Sequence, residues 1–264
     1  MFEARLVQGS LLKTALETVS VKDLLNKATL DCTNEGIQIQ AMDSSHVLLM
    51  TLNIRADGFD EFQCDRTISM GVNLTKMSKI LRYGAIEDIL TMKVDDPAET
   101  VTFTFESPNL RKVSEYEMKL TQLDEEHLGF PVMAWSAVIK MPSDEFQRIV
   151  RDLSQFGNWL VIECTQEGVK FSSTGNNGTG NIRLAQWVDG GEEEAVIIEM
   201  QEELVTMVFD FRYLNMFKRA SRLASQVSLY IFRDNPMSVE YNIGEIGHVR
   251  YFIFLVMHPF VFVS

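Results

Sequence analysis

The chain carries one outline twice, and this constrains its fold more than any single motif. Residues 31–37 read D-C-T-N-E-G-I and residues 163–169 read E-C-T-Q-E-G-V, 132 positions apart in a chain of 264. Phe2–Ser10 (FEARLVQGS) aligns with Trp135–Ser143 (WSAVIKMPS) at an offset of 133, and Asp95-Asp96-Pro97 with Asp234-Asn235-Pro236 at an offset of 139. Three matches in one order at nearly one spacing point to a duplicated domain with small insertions. The stretch 121–134, TQLDEEHLGFPVMA, has an acidic triplet, a Gly, a Pro and no clear period. It reads as a connector. The domains are therefore drawn at 1–121 and 135–264, with the connector over 122–134.

Within each half the dominant period is two. Val101, Phe103 and Phe105 alternate with polar neighbours, as do Tyr116, Met118 and Leu120, and Val227, Leu229 and Ile231. That is the signature of strands with one buried face. Four segments switch to helical spacing: 9–25, 73–83, 143–155 and 211–222. Leu12, Ala15, Leu16 and Val19 form one apolar stripe, and Phe146, Ile149, Val150 and Leu153 another. The expected class is α+β: two similar domains, each with two helices on an antiparallel sheet layer.

Charge is segregated by element. The chain has 24 Lys+Arg against 37 Asp+Glu, a net −13 that taken whole argues against a polyanionic partner. Yet the four helical segments hold eleven basic and five acidic residues, or +6, leaving −19 elsewhere. Lys76, Lys79 and Arg82 share a helix face. So do Arg148 and Arg151, and Arg212, Asn215, Arg219 and Arg222, with Lys218 adjacent; Lys13 and Lys22 lie on the first helix. A single basic face is ordinarily just solvated. Four of them in an acidic protein point to one shared anion-facing surface. No aromatic residues interleave with these bases, so the expected contact is with phosphates and is sequence-independent.

Other chemistry finds little support. Cys32, Cys64 and Cys164 are odd in number, widely spaced and without a C-x-x-C pair, which fits a reducing compartment and no zinc site. His46, His127, His248 and His258 show no ligand spacing, and no catalytic His/Ser/Asp grouping is visible. The acidic runs 124–126 and 192–194 are the candidates for a carboxylate-metal site; solvated loop charge is the preferred reading. Gly175–Asn181 is glycine-rich but does not fit a phosphate-loop motif, and reads as a turn. No metal or cofactor is expected. The first ten residues lack an apolar core, so no secretory signal is expected. Residues 251–263, YFIFLVMHPFVFV, are too short to span a bilayer and hold a Pro. They read as a buried strand with an apolar tail, with a tail anchor as the alternative.

Several motifs carry a family resemblance. MFEARLVQGS at 1–10, QAMDSSHV at 40–47, CDR at 64–66, MGVNLTKMSKIL at 70–81, EYEMKL at 115–120, LGFP at 128–131, RDLSQFG at 151–157, GVKFS at 168–172 and RYLN at 212–215 closely resemble the proliferating cell nuclear antigen family, the eukaryotic sliding clamps. The resemblance covers roughly residues 1–252. It implies a clamp fold of two similar domains assembling into a closed trimeric ring, with helices lining a channel and strands forming the outer layer. It implies a non-enzymatic processivity factor for DNA replication and repair that encircles double-stranded DNA in the nucleus. It also implies that Lys13, Lys22, Lys79, Arg82, Arg148, Arg151, Arg212 and Arg219 face the duplex. Partner peptides, among them one from DNA polymerase delta, would enter a pocket of Met42, His46, Val47, Leu49, Leu128, Phe130, Pro131, Pro236 and Phe252. The subunit joint would be strand against strand at Tyr116 and Gly180. No nucleotide motif is present, so loading is expected to need a separate ATP-dependent clamp loader. A subunit of a heteromeric clamp, which would need unlike partners to trimerise, is the related alternative.

The sequence departs from the family pattern in three places. Thr14 stands where a second basic residue usually follows Lys13. Gln166 stands at the family's ubiquitin- and SUMO-accepting lysine, with Lys170 nearby. After Phe252 the chain runs into an apolar segment instead of an acidic tail.

Overall fold

The computed structural model describes residues 1–7, 9, 13–15, 25–122, 134–187, 191, 194–232 and 237–254, with only the backbone of Lys218 and Arg219. The connector 122–134 and the tail beyond 254 therefore lie almost wholly outside the described residues. The chain divides into two compact units. One comprises 1–44, 49–130 and 243–249; the other comprises 45–48, 131–242 and 250–264.

The first unit holds β1 (Phe2–Leu6), β2 (Lys27–Thr33), β3 (Gly36–Met42), β4 (Leu48–Arg55), β5 (Glu61–Cys64), β6 (Ile68–Asn73), helix α1 (Leu74–Leu81), β7 (Ile89–Val94), β8 (Thr100–Glu106) and β9 (Val113–Lys119). Residues 13–15, inside the first expected helical segment, are helical. The strands run antiparallel in the orders β5-β1-β7-β8-β9 and β6-β2-β3-β4. Alternation explains the core: Val101 and Phe103 are wholly buried and Phe105 nearly so, while the intervening threonines are half-exposed. Asn73 starts α1 by accepting the Lys76 amide at 2.9 Å. The helix then buries Leu74, Met77 and Leu81.

The second unit repeats this plan. It holds β10 (Ala137–Pro142), α2 (Ser143–Leu153), β11 (Trp159–Thr165), β12 (Gly168–Gly175), β13 (Gly178–Ala185), β14 (Ile197–Met200), β15 (Leu204–Asp210), α3 (Phe211–Leu214), β16 (Gln226–Ile231), nearly all of β17 (Met237–Ile243) and the latter part of β18 (Gly247–Ile253). Its order β15-β11-β12-β13 matches β6-β2-β3-β4 strand for strand, and β14-β10-β16-β17 matches the first four strands of β5-β1-β7-β8-β9. The glycine-rich stretch 175–181 is the tip and returning strand of the β12–β13 hairpin.

The duplicated hairpins agree in register. Thr33 pairs with Gly36 and Cys32 with Ile37; Thr165 pairs with Gly168 and Cys164 with Val169. Each turn glycine abuts the next strand: a Cβ on Gly36 would strike the Ile54 carbonyl, and one on Gly168 would strike that of Leu184. The glycine is thus required twice for one reason, close backbone approach.

Two expectations need amending. The segment 211–222 is not one α-helix: α3 ends at Leu214 and Asn215–Arg222 continue as a 3-10 helix. Tyr116 is only half-buried, although Met118 on the same face is buried.

Candidate nucleic-acid interface

In the first unit α1 presents Lys76, Lys79 and Arg82 as exposed residues opposite its buried stripe. Lys13 is half-buried, and its Nζ donates to the Gly84 carbonyl at 2.6 Å. That bond brings Lys13 to the C-terminal end of α1, where helix carbonyls favour a cation. The Lys13 charge is therefore partly engaged in tying two segments of its own unit. Thr14 beside it is also half-buried, and Lys22 lies outside the described residues.

In the second unit α2 buries Phe146, Ile149, Val150 and Leu153 and exposes Arg148 and Arg151. Asp144 and Glu145 in its first turn and Arg151 in its last complement the helix dipole. Arg148 pairs with Glu145, and Arg151 Nε with Asp152 Oδ1 at 2.8 Å. Arg212 is 78% exposed, yet its Nη2 lies 2.7 Å from Oδ2 of Asp210, which is buried. Hydrogen bonds donated to these carboxylates raise the pKa of Arg151 and Arg212 above the ordinary guanidinium value. Arg222 is exposed, and Arg219 lies on the 3-10 segment that packs beside α2.

These ion pairs are the feature that sequence reasoning missed. Asp210 sits one residue outside the helical segment 211–222, so a charge count by segment omits it. Ion pairs of this kind, with an exposed cation, contribute little to stability. They do reduce the charge that a phosphate would meet.

The candidate pocket residues fall in several settings. Met42 ends β3 and is half-buried; Leu49 is fully buried in β4. His46 is exposed with a φ of 57°, and the half-buried Val47 accepts the Phe254 amide at 2.8 Å. Phe252 is buried in β18, with the Arg250 guanidinium 5.8 Å from its ring centre. Leu128, Phe130, Pro131 and Pro236 lie outside the described residues.

The two candidate joint residues lie on terminal strands. β9 ends one sheet and β13 ends another. Tyr116 on β9 packs against Tyr83 at 5.0 Å and Phe105 at 6.0 Å between ring centres. Val113 and Leu110 nearby are exposed. Gly180 on β13 is buried, and a Cβ there would come within 2.7 Å of Leu153 and 2.8 Å of Phe156. Terminal strands offer unpaired backbone groups that another strand can complete.

Gln166 is exposed in the turn between β11 and β12, and Lys170 pairs with Glu163. Among the described residues no cluster of His, Cys, Asp or Glu is placed to hold a metal ion. No helix there is long and apolar enough to cross a membrane.

A duplicated β-unit with basic helix faces and a terminal strand in each copy has the features of a clamp fold. The sequence matches the model of the proliferating cell nuclear antigen N-terminal domain over residues 1–127 and that of its C-terminal domain over residues 129–255. The chain belongs to the proliferating cell nuclear antigen family. It is a DNA sliding clamp and processivity factor of replication and repair, a non-enzymatic scaffold that binds DNA and clamp-binding proteins.

Proposed function

We propose that this clamp is a nuclear homotrimer closed around double-stranded DNA. Lys13, Lys22, Lys79, Arg82, Arg148, Arg151, Arg212 and Arg219 turn toward the duplex. The observation that carries this reading is the shared plan of α1 and α2: each buries an apolar stripe and exposes bases on its other side. Phosphate contacts of this kind are sequence-independent and salt-screened, which suits sliding. A closed ring stays on DNA by topology, so weak contacts suffice. The −19 carried outside the helical segments repels DNA from the remaining surface and leaves the channel as the attractive path.

In this reading domains 1–121 and 135–264 flank the connector 122–134. β9 of one protomer, with Tyr116, completes β13 of the next, with Gly180. Met42, His46, Val47, Leu49, Leu128, Phe130, Pro131, Pro236 and Phe252 receive partner peptides, including one from DNA polymerase delta. An ATP-dependent loader opens the ring.

The test combines native mass and loaded-clamp synthesis. A species near three times 30.1 kDa is expected. Replacing Lys79, Arg148 and Arg219 with Ala is expected to leave that mass unchanged, weaken DNA contact and reduce its salt dependence. Clamp-dependent synthesis indifferent to the triple substitution would remove the channel assignment, and a strictly monomeric species would remove the ring.

A further inference from the structure

Asp210 does two separable things. Its Oδ1 accepts the Arg212 amide at 2.8 Å and so caps α3. Its Oδ2 accepts Arg212 Nε at 2.8 Å and lies 2.7 Å from Nη2. A cap needs one oxygen, and Asn, Ser or Asp supplies it about equally well. The second oxygen is therefore spare as far as the helix is concerned.

The duplication provides an internal control. β6 lies beside β2 and runs directly into α1; β15 lies beside β11 and runs directly into α3. The last strand residue caps the helix in both copies, Asn73 in the first and Asp210 in the second. The first copy makes its cap with a neutral side chain. The negative charge on Asp210 is thus an addition that the fold does not require, and it falls on an arginine that is 78% exposed.

The surroundings leave room for a phosphate. Asp210 and Arg212 line an open cleft of about 550 Å³, shared with Ser154, Asn158, Trp159 and Asn215. Asp210 Oδ2 occupies the edge of the guanidinium formed by Nε and Nη2. An incoming phosphate meets an arginine whose charge is already half-answered by a buried carboxylate. It displaces fewer counterions than a lone arginine would.

We infer that Asp210 is a positioning residue that limits how tightly Arg212 holds the DNA backbone. It keeps this contact oriented but weak, so that it can be made and broken as the ring moves. The inference rests on the reading of Arg212 as a duplex contact.

The experiment measures binding of the full-length clamp to a short linear duplex by fluorescence anisotropy, across salt from 50 to 200 mM, for Asp210→Asn, Arg212→Ala and the double variant. Asp210→Asn keeps the cap and removes the charge. It is expected to tighten binding at low salt and to steepen the salt slope by up to about 0.9, an extra loss of at most roughly 3.5-fold over that range. Arg212→Ala is expected to weaken binding, and the double variant to match it, because Asp210 acts only through Arg212. Unchanged or weaker binding by Asp210→Asn, with Arg212→Ala still harmful, overturns the inference and spares the contact. Unchanged binding by Arg212→Ala overturns both. Asp210→Ser, a second neutral cap, replaces Asp210→Asn if that variant loses its native mass, and must give the same slope.

Discussion

Cys32 and Cys164 hold one place in two copies of a hairpin, paired across the strands with Ile37 and Val169 respectively. Both thiols are fully buried. Burial pushes Cys164 from its ordinary 9.0 up to about 11 and moves Cys32 still higher. A thiolate is the reactive form. Folded protein at pH 8 should therefore resist iodoacetamide at Cys32 and Cys164, with the half-buried Cys64 modified first and all three modified in denaturant. Peptide mass spectrometry reads the order. The sign for stability follows from linkage. The folded state holds the Cys164 proton longer than the unfolded chain does, so this contribution is intact below about pH 9. It is lost as pH climbs toward 11.

Lys13 should behave differently from Lys79. Lys13→Met removes the bond to the Gly84 carbonyl and should cost about 1 kcal/mol in urea unfolding. Lys79→Met, on an exposed helix face, should stay within about 0.5 kcal/mol. Equal losses would mean that Lys13 has no tethering role.

Tyr116 packs on two rings of its own unit as well as lying on a terminal strand. Tyr116→Ala should release protomers in native mass spectrometry, whereas Tyr116→Phe, which keeps the ring stack, should leave the trimer. An intact trimer with Tyr116→Ala would remove β9 from the joint.

Glu240 binds the Arg250 guanidinium, which also lies over Tyr230 at 5.5 Å and Phe252 at 5.8 Å. Glu240→Ala leaves a half-buried cation without its carboxylate. It should cost about 2 kcal/mol or more, and Glu240→Gln distinctly less. Thermal unfolding separates the two variants.

Gln166 offers no amine in its exposed turn, and the Lys170 amine is held by Glu163. Ubiquitin-conjugation reactions on the loaded clamp should therefore leave this turn unmodified and gain one product with Gln166→Lys. A product on Lys170 in the unaltered chain would contradict this.

The duplication, the period-two strands and the basic helix faces were all readable along the chain because each is local and repeats. The 3-10 geometry after Leu214 was not, since Arg212–Asn215 and Arg219–Arg222 are spaced by three, which suits either helix type. The carboxylate behind Arg212 sits just before the periodic segment, and the Lys13–Gly84 bond joins residues 71 apart. Contacts of that kind depend on how strands are ordered, which no local period reports.

The two units do not divide the gene cleanly, because the first includes residues 243–249 and the second includes residues 45–48. Expressed alone, either half would lack a piece of its own scaffold. A half expressed alone should accordingly unfold at lower urea than the intact chain, as read by circular dichroism. The boundary of the sequence repeat and the boundary of the compact units are thus two different lines through one chain.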